Sequence, residues 1–296
     1  MCPSLAGVAY KMTLVSMAEI LREAQEKVYA VGGFDTWNLE SVQSVINAAE
    51  EERSPAIILT GPYGLGTDYE GLKYFAAFGK VAAEEATVPV ALLLNEAPSF
   101  KLVVQGIRLG FTSVMLECSH LPIRENIELT KRVVEVAHSV GVSVEGQLGV
   151  MPQAGEGEAP LADPEVAADF VDETGVDALS VAVGNIHLLH KGKAEIDFAR
   201  LKKFGELIST PLVLHGGTGL SDQSVRKSIQ LGVCKFNLGL ALRLTFIGGM
   251  KKARLAPVPT STDRYRYVEE ILRSGRLAMK NVAKNAMKLY GSSGQA

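Results

Sequence analysis

Short apolar runs alternate along nearly the whole chain with stretches whose apolar residues recur every three or four positions. The runs fall at 28–34, 56–59, 88–94, 113–116, 141–144, 178–183, 212–214 and 233–238. They are near-continuous rather than alternating, which is the pattern of strands buried on both faces. Helical spacing occupies 39–52, 69–86, 123–139, 164–174 and 196–208 between them. Buried strands alternating with amphipathic helices predict a parallel sheet covered by helices. Eight such units favour a closed (β/α)8 TIM barrel, over residues of about 12–255, rather than an open sheet. Asp163-Pro164 and Ser221-Asp222 each place an N-cap at a helix start. The segment 150–160 is rich in Gly, Pro and Glu and reads as a mobile loop after the fifth strand. Two prolines within 256–263 mark the exit from the barrel, and 264–289 reads as helix, so residues 256–296 form a C-terminal helical extension.

Composition narrows the function classes. A chain of 296 residues with 47% hydrophobic content suits one large α/β barrel or two modest domains and is neither disordered nor fibrous. The longest apolar runs are too short to span a bilayer. The net charge of −3, without a dense basic cluster, points away from nucleic acid. Of three cysteines, Cys2, Cys118 and Cys234, the last two read as buried thiols inside strands, which fits a reducing cytosol. Lys11 interrupts the N-terminal apolar stretch and no small-residue cleavage site follows, so no secretory signal is expected. Met12 is an alternative start, because the regular pattern begins only there. The expected location is cytoplasmic, with no membrane partner.

A parallel barrel gathers the ends of all its strands on one rim, so residues far apart in sequence meet there. The residues that follow the strands are Asp35 with Asn38, Asn95 with Glu96, Glu117 with His120, Glu145 with Gln147, Asn185 with His187, then His215 and Asn237. Four of the five histidines lie on or near this rim, and only His138 sits mid-helix. One histidine alone would be an ordinary buried polar residue; their joint placement points to a site. Glu96, His187 and His215 are chemically able to hold a divalent metal. The run His215-Gly216-Gly217-Thr218-Gly219 leaves strand seven just before a helix, where backbone N–H groups and a hydroxyl can receive an anion. A tight turn needing positive φ would also explain the glycines. Trp37 either stacks on a ligand or simply packs. Glu50–Glu52, Arg53, Glu173 and Asp177 read as solvated helix faces or caps.

At these residues the sequence resembles the class II, metal-dependent fructose-bisphosphate and tagatose-bisphosphate aldolases. The carriers are VGGFDTWNLE at 31–40, EEERSPAI at 50–57, VPVALLLNE at 88–96, ECSH at 117–120, VEGQLG at 144–149, DALSVAVGNIH at 177–187, PLVLHGGTG at 211–219, GVCKFN at 232–237 and LYGSSGQA at 289–296. The resemblance covers nearly the whole chain and implies a single domain over 1–296. It implies a catalytic metal held by three histidines, two of which are His187 and His215. The family's strand-three Asp-His pair is Asn95-Glu96 here. An amide cannot exchange the proton that the family aspartate handles. Glu96 can still bind zinc, or a harder ion such as manganese.

Further departures from the family pattern bear on the substrate. The second acid after strand five is Gln147, although Glu145 remains. Leu188 replaces a glycine beside the phosphate, and Leu240 replaces a threonine that contacts it. Thr218 and Asn237 match the pattern, and Gly239 falls at a variable position. The anion site implied is Gly216, Gly217, Thr218, Asn237 and Gly239. The family's mobile-loop glutamate is Glu156 or Glu158. Proton transfer would fall to Asp35, Glu117, a loop glutamate or metal-bound water, with Asn95 and Glu145 in the same catalytic constellation. These changes imply a divergent lyase acting on a small-molecule ketose other than fructose 1,6-bisphosphate. The substrate would carry one phosphate, another anion such as a sulfonate, or no phosphate. Two other readings stand beside this one: a sugar isomerase or epimerase sharing the metal–enediolate chemistry, and a non-catalytic sugar-phosphate-binding paralogue. The resemblance also implies a homodimer or homotetramer.

Overall fold

In the computed structural model, residues 12–61, 69–157, 159–254 and 267–296 are described. Cys2, Lys11, Glu158 and the predicted exit at 256–263 lie outside them. Eight parallel strands close into a barrel in chain order. They are β1 (Val31–Asp35), β2 (Ala56–Thr60), β3 (Val90–Ala97), β4 (Ser113–Leu116), β5 (Ser143–Leu148), β6 (Ala178–Val181), β7 (Leu212–Leu214) and β8 (Val233–Leu238). Each overlaps one of the eight predicted runs. Closure is made by β1 against β8, where Val31 pairs with Lys235 and Gly33 with Asn237.

The outer layer contains α2 (Leu39–Glu52), α3 (Tyr69–Glu85), α4 (Phe100–Leu109), α5 (Ile123–His138), α6 (Pro164–Thr174), α7 (Phe198–Leu207), α8 (Asp222–Gln230), α9 (Leu240–Arg254) and α10 (Tyr267–Tyr290). Both predicted helix starts form: Asp163 caps the Glu165 N–H and Ser221 caps the Ser224 N–H. His138 ends α5 rather than sitting mid-helix, and its Nε2 lies 2.8 Å from Asp177. Cys118 is buried but lies two residues beyond β4, with Sγ 3.1 Å from Asn126 Oδ1.

Two elements decide where the site is. Before β1, α1 (Met17–Lys27) starts with a capping box between Ser16 and Glu19. It buries Met17, Ile20, Leu21 and Ala24 against Val31, Ile57, Leu93, Val213 and Cys234, closing the N-terminal mouth of the barrel. The opposite mouth is left as the accessible rim. At the far end of the chain, α10 does not project as an appendage. It packs on α2 and α9, Tyr290 stacks on Phe236 at 5.0 Å, and the Tyr290 carbonyl accepts the Ala30 N–H. Glu51 and Glu52 are not free solvated charges: Lys280 and Lys284 reach Glu51, and Lys284 and Lys288 reach Glu52. The charged run thus fastens the C-terminal helix to α2. Glu50 accepts the Thr87 N–H, Glu173 pairs with Arg124, and Asp177 accepts the Val144 N–H.

Four strands extend further toward the rim than their apolar runs, β2 by Thr60 alone. β5 reaches Leu148, so Glu145 and Gln147 lie within it. β3 reaches Ala97 through a bulge: Leu94 pairs with Val114 and Ala97 with Leu116, which inserts one extra residue. β1 includes Asp35. Polar side chains directed into the barrel near its rim break an apolar run without ending the strand.

Candidate metal centre and substrate cavity

The bulge in β3 turns Glu96 inward. Its φ of 48° is left-handed, uncommon for a residue other than glycine, and the side chain is buried. Glu96 Oε1 lies 3.2 Å from His215 Nδ1 and 3.6 Å from His187 Nε2. Two ligands bound to one tetrahedral zinc at about 2.0–2.1 Å are separated by roughly 3.4 Å. Ligand atoms from the three residues all lie within 4.8 Å of one another. The donor set and its spacing therefore fit a divalent cation.

Each of the three side chains is held by its neighbours. His215 directly follows β7, fully buried, and its Nε2 lies 2.8 Å from Glu145 Oε1. Lys235, also fully buried, places Nζ 2.5 Å from Glu145 Oε2. This carboxylate fixes the ring so that Nδ1 faces Glu96, the arrangement in which an outer carboxylate orients a metal-binding imidazole. Burial pushes the Glu145 pKa up, but Lys235 and His215 outweigh it and hold the carboxyl at about 2. Burial likewise opposes charge on His215, yet its two carboxylate partners raise its pKa to about 8. Burial raises that of Glu96 too, but His215 and His187 bring it below the usual carboxylate range. The His187 pKa is shifted down, chiefly by burial. Gly33 leaves room for the lysine: a Cβ there would lie 2.9 Å from Lys235 Cε.

His187 is pinned by two backbone systems. Its N–H donates to the Pro152 carbonyl, and its own carbonyl accepts the Ala154 N–H. The predicted mobile loop is thus attached to it by a strand-like bridge. Asn185 accepts the Val183 N–H and donates 3.2 Å to the His215 carbonyl, linking the segments that carry the two histidines. Gly216 has φ 72°, and a Cβ there would collide with the Ile186 carbonyl. The first glycine of the pair is therefore required by the turn itself.

Two cavities meet at the centre and share Glu96 and His187. The first, of about 90 Å³, is lined by Asp35, Asn95, His215, Gly216, Thr218, Asn237, Gly239 and Arg243, with Leu188 and Leu240 as apolar walls. The second, of about 320 Å³, has Glu117, Ser119, His120, Gln147, Met151 and Gln153 in its lining.

The predicted site residues divide accordingly. Asn95 accepts 3.3 Å from Asn237 Nδ2, leaving Asn237 Oδ1 buried without a hydrogen-bond partner among the described residues. Thr218 Oγ1 accepts the Ala241 N–H. Gly217 opens a 3-10 turn through Gly219, packed against the Asn237 backbone. Glu117 faces the second cavity and accepts from Ser119 N–H and Oγ–H. Glu156 accepts the Gln153 N–H and lines a separate pocket with Lys193 and Asn185, away from Asn95. Glu145 lines neither cavity; its contacts are His215 and Lys235. Trp37 packs edge-on against Phe246 at 5.5 Å with the Arg243 guanidinium over its ring.

Sequence reasoning missed Lys235 and Arg243. Lys235 interrupts an apolar strand with Cys234 and Phe236 both buried, so no solvent-facing side was available to it. Arg243 lies one turn into α9 and carries no local signal of its partner Asp35.

The family model described as "Fructose-bisphosphate aldolase class-II" matches residues 15–295. A protein of Bacillus subtilis (strain 168), described as a probable fructose-bisphosphate aldolase, is 40% identical over 96% of this chain and 100% of its own. A fructose-bisphosphate aldolase of Geobacillus stearothermophilus is 38% identical over 96% and 99%. The crystal structure of the YdjI aldolase from Escherichia coli K12 superposes with a TM-score of 0.85 at 32% identity, covering 96% of this chain and 99% of that one.

Proposed function

The chain belongs to the class II fructose-bisphosphate aldolase family, and on that premise we propose that it is a metal-dependent aldehyde-lyase cleaving an anionic ketose by retro-aldol chemistry. The observation that carries this reading is one buried carboxylate oxygen set against two imidazole nitrogens at the junction of two cavities. Glu96, His187 and His215 are assigned as ligands, with zinc the best match to the donor set and manganese the alternative for its carboxylate. A divalent cation held there supplies a Lewis acid that lowers the cost of negative charge on a ketose carbonyl oxygen.

The remaining residues bind, orient and move protons. Glu145 is assigned to positioning, because it reaches His215 and no cavity. Asn95 hydrogen-bonds but cannot accept a proton. Asp35 shares its cavity, and burial, against the lowering effect of Arg243, raises its pKa to about 6. A carboxyl poised near neutrality suits transfer of the substrate hydroxyl proton, so Asp35 takes that role ahead of Glu117, whose oxygen is engaged by Ser119. Glu156 is assigned the carbon proton, which requires the loop to bring it toward the centre. The unpartnered Asn237 Oδ1 suits a sugar hydroxyl. The apolar walls Leu188 and Leu240 favour a ketose with one phosphate or sulfonate over fructose 1,6-bisphosphate. The assembly assigned is a homodimer or homotetramer, and the compartment cytoplasmic. Among the described residues no helix is long and apolar enough to cross a membrane.

The test is a product panel with metal-loaded protein: fructose 1,6-bisphosphate, ketose monophosphates, a ketose sulfonate and unphosphorylated ketoses. Release of an aldehyde supports cleavage, and turnover of the bisphosphate above the others removes the substrate assignment. A product with all its carbons indicates isomerisation. No product from any ketose, and no solvent deuterium exchange into dihydroxyacetone phosphate, would reject the lyase.

A further inference from the structure

The second cavity differs from the first in charge and in size. Glu96, Glu117, Ser119, His120, Gln147 and Gln153 contribute to its lining, with no Lys or Arg among the described residues. Two carboxylates without a fixed cation disfavour a phosphate or sulfonate there, because like charges meet in a confined space. Its volume is about 320 Å³, against about 90 Å³ for the first. Cavities of that larger size, from roughly 300 Å³ upward, hold small organic ligands.

One buried amide decides which ligand fits. Gln147 is 4% exposed. Its Nε2 lies 3.0 Å from Ser119 Oγ and 3.4 Å from the Gly149 carbonyl oxygen. Ser119 spends its hydroxyl hydrogen on Glu117 Oε1 at 2.7 Å, and its backbone N–H reaches the same oxygen at 3.0 Å. Ser119 Oγ is left only to accept, and a carbonyl can do nothing else. Both neighbours therefore demand the NH2 arm of Gln147, and the amide cannot be turned over. The carbonyl arm is what remains: Gln147 Oε1 is buried with no hydrogen-bond partner among the described residues. A buried acceptor without a donor is costly, so it calls for one. Glu117 adds a second acceptor on the same wall, and Val150 and Met151 add an apolar side against which C–H groups can lie. The lining thus asks for hydrogen-bond donors that bring no negative charge.

We propose that the second cavity is a subsite for the uncharged polyhydroxy half of the ketose, the half released as the aldehyde, and that Gln147 Oε1 is the specificity-determining acceptor for one hydroxyl on it. The proposal deepens the lyase reading and rests on it for the word substrate, but the subsite is testable without turnover. A cation is the other occupant that two acceptors could hold, and it is an outcome of the test.

The experiment measures binding of neutral polyols, from glycerol through tetritols and pentitols to hexitols, to the zinc-loaded full chain by saturation-transfer NMR. The tightest polyol is then compared with its mono-deoxy counterparts in wild type and Gln147→Met, which keeps the side-chain length and removes the acceptor. One deoxy counterpart should bind wild type roughly tenfold more weakly than its parent, the size of one hydrogen bond. In Gln147→Met the parent should fall to the same level and that penalty should vanish. A wall that Gln147 merely supports would weaken every polyol and leave the deoxy penalty intact. Circular dichroism identifies a variant that has not folded. Ser119→Ala then serves instead: it frees the amide to turn and should shrink the same penalty several-fold. In the condensation direction, kcat/KM with dihydroxyacetone phosphate should be at least tenfold higher for the best neutral aldose than for glyceraldehyde 3-phosphate. No polyol binding to wild type, equal deoxy penalties in both proteins, or preference for the phosphorylated aldehyde overturns the inference. So does a second zinc ion per chain that is lost in Gln147→Met. Deuterium exchange into dihydroxyacetone phosphate by wild type separates the two readings: a Gln147-dependent deoxy penalty without exchange rejects the lyase and keeps the polyol subsite, and exchange without that penalty does the reverse.

Discussion

The two ends of the barrel are built from the same eight strands and solve opposite problems. At the N-terminal end, α1 inserts Met17, Ile20, Leu21 and Ala24 among apolar strand residues, with the Met17 N–H donating to Ser113 Oγ of β4, and the mouth is sealed. Toward the C-terminal end the interior holds Lys235, Glu145, His215 and Glu96, linked in series by contacts of 2.5, 2.8 and 3.2 Å. The lower end gains stability from removing apolar surface from water. The upper end places charges where water is scarce, which costs free energy unless each charge has a partner. Stability and chemistry are therefore separable along the barrel axis, and substitutions at the two ends should fail in different ways.

The largest effect is expected at the upper end. Glu96→Ala removes one of the three proposed ligands, so metal and activity should vanish together while the fold persists. Asn95→Asp next to it should leave the metal in place. Elemental analysis beside a turnover assay decides this, and metal retained by Glu96→Ala would remove Glu96 from the ligand set. Lys235→Met comes next. It leaves Glu145 buried without its cation, a change that costs about 3–5 kcal/mol, read as a lower urea midpoint. Adding Glu145→Gln to Lys235→Met should recover part of that stability but weaken metal affinity, since an outer partner of a ligand contributes about 10–100-fold.

Leu21→Ala sharpens the contrast from below. Deleting a buried leucine should cost about 2–5 kcal/mol and leave the metal content per folded chain unchanged. A drop in metal stoichiometry for the folded variant would show that the two ends are not independent. The smallest effect concerns Asp35. Its pKa is about 6 in the folded chain against an ordinary 3.8. Between those values the folded chain binds more protons than the unfolded one. The favourable contribution is thus full below about 3.8 and is lost as pH rises through about 6. Asp35→Asn does not titrate and should flatten that part of the stability profile, compared at pH 4.5 and 6.5 by urea unfolding.

The sequence disclosed these two ends unequally. All eight strands were legible, because a strand covered on both faces must be apolar almost throughout. That Glu96, His187 and His215 would meet on one rim was legible through the same periodicity and the family resemblance. α1, α4 and α9 fall outside the helical ranges read from the chain, and of α8 only the start was read; α1 has a polar mean composition and its apolar stripe makes sense only against a barrel mouth. The Lys235–Glu145 pair spans 90 residues and the Arg243–Asp35 pair 208, so neither leaves a local trace. The bulge that turns Glu96 inward was equally silent, since nothing in Leu94-Asn95-Glu96 marks a left-handed residue.

The loop after β5 is gripped by His187 through two main-chain hydrogen bonds, one in each direction. Any outward swing of that loop must either break both bonds or drag the imidazole with it. Glu156 rides on the same segment. Access to the cavity, the position of Glu156 and the alignment of one proposed metal ligand are therefore geared together, so that a hinge substitution remote from the centre would register as a change in the geometry around His187.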